Sequence, residues 1–162
     1  MVASCVRYRS FPVSHKMIKT PSTQSMLPVP SIVAKLKDAG LRPTRQRLLL
    51  AKQLFGKGAR HVSAEELHLE AIAGRTPVSI ATIYNALRQF TAAGLLREIM
   101  VGPGRTYFDT TTTPHQHYFI ESEGRLMDIP DEKIISLQAP EPPPGMLVTR
   151  VDLIVRVASI IR

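Results

Sequence analysis

Apolar residues recur along the chain first at helical and then at strand spacing. Ile32, Val33 and Leu36 mark a helix from Ser31 to about Ala39, closed by Gly40. A second helix begins behind Pro43 with Thr44 as N-cap. It carries Leu48, Leu49, Ala51, Leu54 and Phe55 and ends at Gly56. Ser63-Ala-Glu-Glu66 has the form of a capping box, which satisfies two free backbone donors and opens a third helix. Its inner face reads Leu67, Ala71 and Ile72. A fourth helix runs from Ser79 to Gly94, with Ile80, Ile83, Leu87 and Phe90 at three- and four-residue steps facing a core.

The period then changes. Leu95–Val101 and Thr106–Thr110 read as strands joined by the turn Gly102-Pro-Gly-Arg105. Helices followed by a short hairpin form the winged-helix arrangement, a helix-turn-helix variant. Beyond a Thr-rich hinge and Pro114, strands are predicted over His115–Glu121 and Arg125–Ile129, with Gly124 at the turn. A short helix over Asp131–Leu137 follows. Residues 140–144 (Pro-Glu-Pro-Pro-Pro) can be neither helix nor central strand. A β-branched strand over Leu147–Val157 ends the pattern. The fold class predicted is α+β. A tail over 1–28 reads as disordered, a winged helix spans 29–110, and a small α/β unit spans 114–162. The last unit has too little core to stand alone, and pairing across a twofold axis would complete it. Met17 and Met26 are alternative starts.

Composition narrows the classes. The chain has 162 residues, of which 44% are hydrophobic and 21% charged, which suits a packed body. There is no long uncharged apolar run and no signal-like leader, so a cytoplasmic protein without a membrane partner is expected. The single cysteine, Cys5, can form neither an internal disulfide nor a thiolate zinc site alone. The net charge of +8 sits in the front two thirds, since acidic residues outnumber basic ones after residue 110. That is the footprint of a protein that displaces counterions from a phosphate backbone.

The outer face of the fourth helix carries Ala81, Thr82, Tyr84, Asn85 and Arg88. A merely solvated face would hold more Lys and Glu. Ala81 and the Thr82 methyl suit thymine methyls, Tyr84 a phosphate or a base, and Asn85 and Arg88 base edges. Arg45 and Arg47 at the start of the second helix suit the phosphate backbone, behind Arg42. Arg105, at the wing tip, suits a minor groove or a phosphate.

Three stretches, "LRPTRQRLLLAKQLF", "RHVSAEELHLEA" and "SIATIYNALRQFTAAGLL", closely resemble the ferric uptake regulator (Fur) family. The resemblance runs from roughly Leu41 to Phe108 and more weakly to the end. It implies a DNA-binding winged helix, a C-terminal dimerisation domain, and control of transcription from promoter DNA by a homodimer. Tyr84 stands at the family's recognition-helix tyrosine.

His115-Gln-His117 places two imidazoles on one strand face, a spacing that suits one first-row metal ion or an axial ligand to haem. A bare H-x-H is more often a solvated pair. The resemblance implies that His61, Asp109, His115 and His117 hold one divalent ion per subunit (Fe, Mn or Zn), with Glu121 or Asp128 as a further acid. Asp109 stands where many relatives have Glu. His68 reads as a helix-surface residue, and His15 lies in the tail.

Two departures matter. Many relatives carry a C-x-x-C pair for a structural zinc, and Ile120-Glu-Ser-Glu123 stands here instead. The last strand, Thr149-Arg-Val-Asp152, lacks a histidine that relatives often have. With the retained H-x-H, these losses resemble the iron response regulator (Irr) branch, mostly repressors of iron and haem genes. Haem contact would then rest on His115 and His117, since Cys5-Val6 is not a Cys-Pro haem motif. Rival readings are a Fur-type regulator sensing manganese, zinc or peroxide, a metal- or haem-buffering protein, and a small metalloenzyme. No glutamate in an H-E-x-x-H setting supports the last, and no enzyme is expected.

Overall fold

A computed structural model describes residues 28–75, 78–130, 133 and 140–160. Four helices come first: α1 (Val29–Asp38), α2 (Arg45–Phe55), α3 (Ala64–Ala73) and α4 (Ile80–Ala92). Their starts follow local chemistry. Thr44 accepts a hydrogen bond from the Arg47 amide, and Ser79 from the Thr82 amide. At α3 the Ser63 side chain accepts from the Glu66 amide while the Glu66 carboxylate accepts from the Ser63 amide. Such caps stabilise a helix start by about 1 kcal/mol.

The helices bury Leu36, Leu50, Leu54, Leu67, Leu87 and Phe90 in one cluster. Each fully buried leucine contributes about 1.5–3 kcal/mol. Three expected core positions are corrected. On α2 the buried residues are Leu50, Ala51, Leu54 and Phe55, with Leu49 only partly covered. Ile72 is 56% exposed and Ile80 is 38% exposed. Both lie at the margin of their stripe, where 3.6-residue drift turns the side chain outward.

Strands β2 (Arg97–Gly102) and β3 (Arg105–Asp109) form the predicted antiparallel hairpin. A strand not predicted, β1 (His61–Val62), pairs with β3, giving the sheet order β1-β3-β2. Its register sets His61 opposite Asp109 and Val62 opposite Phe108. The pairing continues one step further, because Arg60 and Thr110 exchange backbone and hydroxyl hydrogen bonds.

The second sheet has the order β5-β4-β6, from β4 (His117–Ile120), β5 (Arg125–Asp128) and β6 (Ile154–Val157). β5 is antiparallel to β4, and β6 is parallel to it. A parallel partner needs a long crossover, which residues 129–153 supply. The last strand is shorter than the β-branched run suggested. Met146, Leu147, Val148 and Val151 lie exposed and outside any ladder. Strand propensity needs a neighbouring edge, and no edge of this chain meets them among the described residues. The helix expected over Asp131–Leu137 and the tail before Pro28 lie outside the described residues, apart from Lys133.

The sheets are joined by a second apolar cluster. Ile99, Val101 and Tyr107 of the hairpin pack against Phe119 and Leu126 of the second sheet. Polar contacts rim it. The Tyr107 hydroxyl donates to the Gly124 carbonyl, Arg156 donates to the Val101 carbonyl, and Arg97 pairs with Asp152.

Candidate metal centre and nucleic-acid interface

Five side chains converge where the two sheets meet. β1 brings His61, the end of β3 brings Asp109, and the segment entering β4 brings His115 and His117. The end of β5 brings Asp128. Alternation explains why His115 and His117 agree: residues two apart share a strand face. The β4–β5 register then places Asp128 directly opposite His117. Donor atoms of all five lie within 4.8 Å of one another.

The carboxylates sit between the imidazoles. His115 Nε2 is 3.0 Å from Asp109 Oδ2 and 3.1 Å from Asp128 Oδ1. His61 Nε2 is 3.0 Å from Asp128 Oδ1 and 3.6 Å from Asp109 Oδ2. His117 Nε2 lies 3.6 and 3.7 Å from the same two oxygens. Proximity does not amount to hydrogen bonding everywhere: His61 Nε2, Asp109 Oδ2 and His117 Nε2 are buried without a hydrogen-bond partner. Asp109 has no exposed surface at all. A buried unpaired carboxylate oxygen costs a few kcal/mol, so a cation is what this cluster fits.

The outer contacts aim the donors. The Asp109 Oδ1 accepts from the Thr111 amide at 2.7 Å, leaving Oδ2 for the cluster. His115 Nδ1 lies 2.8 Å from the Thr113 carbonyl. A carbonyl only accepts, so Nδ1 carries the proton there, and Nε2, 3.1 Å from Asp128 Oδ1, is the ring nitrogen that faces the cluster and would ligate a metal. The nearby His61 imidazole, helped by charge from His115 and His117, holds the Asp128 carboxyl below the usual carboxylate range. Burial pushes the other way. Ligands of a first-row ion at about 2.0–2.2 Å stand at most about 4.4 Å apart, so the cluster needs to draw in by only a few tenths of an ångström. Three imidazoles, two carboxylates and no thiolate suit Fe²⁺, Mn²⁺ or Zn²⁺.

Sequence reasoning named His61, Asp109, His115 and His117, and the structure brings all four together. Of the two acids left open, Asp128 is in the cluster. Glu121 instead pairs with Arg156 at 3.1 Å. The signal for Asp128 was the strand register, which the alternation along β5 contained but did not align. At Glu121-Ser-Glu123, Ser122 contacts Ser159 and Glu123 pairs with Arg125. That donor set does not fit a structural thiolate zinc.

On α4, Ala81, Tyr84, Asn85 and Arg88 are exposed and Thr82 partly so, while Ile83, Ala86, Leu87 and Phe90 are buried. The face is therefore free of the core. Tyr84 donates its hydroxyl to Glu65 Oε1 of α3 at 2.6 Å. A groove of about 330 Å³ runs between the start of α2 and α4, lined by Thr44, Gln46, Arg47, Thr82, Asn85 and Gln89. Arg45 is exposed beside it. Arg47 is braced across the groove: Nε donates to Gln89 Oε1 at 2.9 Å and Nη1 to the Arg42 carbonyl at 2.8 Å. Arg105, at the start of β3, does not reach straight outward. Its guanidinium lies over the Phe119 ring, 5.8 Å from the centroid, against Gly124.

Among the described residues, no helix is long and apolar enough to cross a membrane. A ferric uptake regulator family model matches residues 38–154. The peroxide operon regulator of Bacillus subtilis is 36% identical over 94 residues, covering 57% of this chain and 63% of that protein. The peroxide-responsive repressor PerR of Staphylococcus epidermidis is 35% identical over 97 residues, covering 59% and 63%. The matches thus span less than two thirds of these relatives' length. Among solved structures, the Vibrio cholerae ferric uptake regulator is similar at 25% identity with a TM-score of 0.62. The match covers 78% of this chain and 98% of that one. The ferric uptake regulator of Pseudomonas aeruginosa with manganese has the same fold, at a TM-score of 0.58 and 24% identity, covering 78% and 96%.

Proposed function

The chain belongs to the ferric uptake regulator family, and we propose that it is a metal-dependent transcription regulator that binds promoter DNA as a homodimer through α4. The observation that carries this reading is the buried cluster of His61, Asp109, His115, His117 and Asp128, with three of its donor atoms unpartnered. These five residues would hold one divalent ion per subunit. When bound, the ion supplies positive charge that neutralises the two carboxylates and gives the imidazoles a common partner. The residues themselves come from β1, β3, β4 and β5. Holding them together fixes the hairpin behind α4 against the second sheet. An effector acts by its differential affinity for two such arrangements. Ala81, Thr82, Asn85 and Arg88 would read base edges, with Arg45 and Arg47 on phosphates. Arg105 reaches DNA only if it leaves Phe119.

The exposed Met146, Leu147, Val148 and Val151, which lie outside any ladder, support a second copy as partner. Iron, manganese and zinc all suit the donor set. A peroxide response is the second reading. It is favoured by the names of the two curated relatives and by a nitrogen-and-oxygen donor set that admits Fe²⁺. The haem reading of the Irr branch has less support. His117 is almost fully buried, and His115 and His117 turn toward Asp109 and Asp128. An axial haem ligand needs open apolar space.

The deciding experiment is DNA binding by fluorescence anisotropy with Mn²⁺, with Fe²⁺ under exclusion of oxygen, with haem, and with chelator. Tight binding that needs Mn²⁺ or Fe²⁺ and is lost in Asp109→Ala is expected. Loss of the Fe²⁺-loaded but not the Mn²⁺-loaded response after peroxide would favour the peroxide reading. DNA binding indifferent to metal would sink the proposal.

A further inference from the structure

An acidic side chain stands beside the helix assigned to DNA. Tyr84 Oη donates to Glu65 Oε1 at 2.6 Å, and both residues are exposed on the same side of the α3–α4 pair. The phenol holds the Glu65 carboxyl below its usual range, so it is ionised at neutral pH. In return the carboxylate raises the Tyr84 phenol. Tyr84 therefore keeps its proton, and that proton is committed to Glu65.

The consequence is a matter of donors and acceptors. A phenol has one proton and two lone pairs. With the proton spent on Glu65, Tyr84 Oη can only accept from DNA. The carboxylate beside it is acceptor-only as well. A phosphate oxygen is also an acceptor and is negative, so the pair repels it. In the major groove the donors on base edges are the N6 amino group of adenine and the N4 amino group of cytosine. Donation to a carboxylate also makes the phenol oxygen a better acceptor.

We propose that Glu65 and Tyr84 form an acceptor pair that selects a base amino group in the major groove, and that Glu65 is thereby a specificity-determining residue. This rests on α4 being the reading helix. It narrows the role of Tyr84, for which the sequence left phosphate and base equally open.

The test begins with a duplex selected from a randomised library by the full-length protein supplied with Mn²⁺. Each adenine of that duplex is then replaced by purine, and each cytosine by 2-pyrimidinone, so that one amino group at a time is deleted while the partner base is kept. The wild type is expected to lose about tenfold in affinity at one position. Glu65→Ala and Tyr84→Phe should each remove that penalty, and the double variant should be no worse than either single one. Glu65→Gln, which keeps an acceptor oxygen, should retain part of it. Tyr84→Phe leaves α3 intact, so a folding defect of Glu65→Ala cannot mask the result. Removing the carboxylate should also tighten binding to unrelated DNA, opposite in sign to a general loss of structure. A wild type indifferent to every amino deletion, or a set of amino-deletion penalties that all survive in both variants, would overturn the proposal, since a penalty read by Asn85 alone would persist in them. If Arg88→Ala leaves binding unchanged or no sequence is selected, the assignment of α4 itself fails instead.

Discussion

His61 and Asp109 are direct partners across the two-residue β1–β3 pairing, with His61 Nε2 standing 3.6 Å from Asp109 Oδ2. The sheet that builds the hairpin thus delivers two of the five cluster donors. An ion held by the cluster would be coupled to the position of the hairpin through that pairing.

Of the two acids the sequence left open, Asp128 is the one that the tertiary structure places in the cluster. Asp128→Ala should lower Mn²⁺ affinity by at least about 100-fold, more than the 10–100-fold typical of losing an outer contact. Isothermal titration calorimetry reads this directly. The parallel variant Glu121→Ala should leave the affinity unchanged, because Glu121 faces Arg156. Equal losses in both would mean that the assignment of the acid is wrong.

Arg60, next to His61, grips Glu70 of α3 through two hydrogen bonds of 2.9 and 2.5 Å. The hydrogen bond from Arg60, reinforced by Lys57, holds the Glu70 carboxyl below the usual range against the opposing effect of burial. Its folded value is therefore lower than the unfolded value of about 4.3. The pair's contribution is complete above that pH and is lost as pH falls through the folded value. For a partly exposed bidentate pair it amounts to about 1 kcal/mol. Urea denaturation at pH 7 and pH 3 should show Glu70→Gln less stable than wild type at pH 7, by a margin that shrinks at pH 3. A constant difference across pH would argue that lost packing, not charge, is responsible.

Arg156 bridges the two sheets. It donates to the Val101 carbonyl, pairs with Glu121 and lies over the Phe119 ring, 5.3 Å from the centroid. Arg156→Ala strips a carbonyl of its partner and uncovers an aromatic ring, so a loss of about 1–3 kcal/mol is expected. Amide exchange along β2 should quicken more than exchange in α1. Uniform quickening would mean that the sheets do not part locally.

Ser63 caps α3, which carries Glu65 and Glu70. Ser63→Ala should cost about 1 kcal/mol, read as a lower urea midpoint with unchanged slope. Ser63→Asp, which restores an acceptor at the cap, should recover most of it.

Much of this molecule follows from local chemistry. The helix starts at Thr44, Ser63 and Ser79 could be read because a cap needs only a side-chain oxygen three residues from an amide. The exposed face of α4 and the shared face of His115 and His117 follow from fixed periods of 3.6 and 2. What lay beyond the sequence depends on partners distant along the chain. β1 has two residues, too few for any period, and exists only because β3 offers it an edge. Asp128 joins the cluster because β5 is in register with β4, and that register is set by a whole sheet. Arg105 lies over Phe119 rather than at a free wing tip, because Ile99, Val101 and Tyr107 bury themselves against the second sheet. Tyr84 donates its hydroxyl hydrogen bond to a carboxylate nineteen residues earlier. The sequence determined which elements form and which residue types they present. Only long-range packing decided which of those residues meet, because the contact that fixes each one is made by a segment whose position no local period encodes.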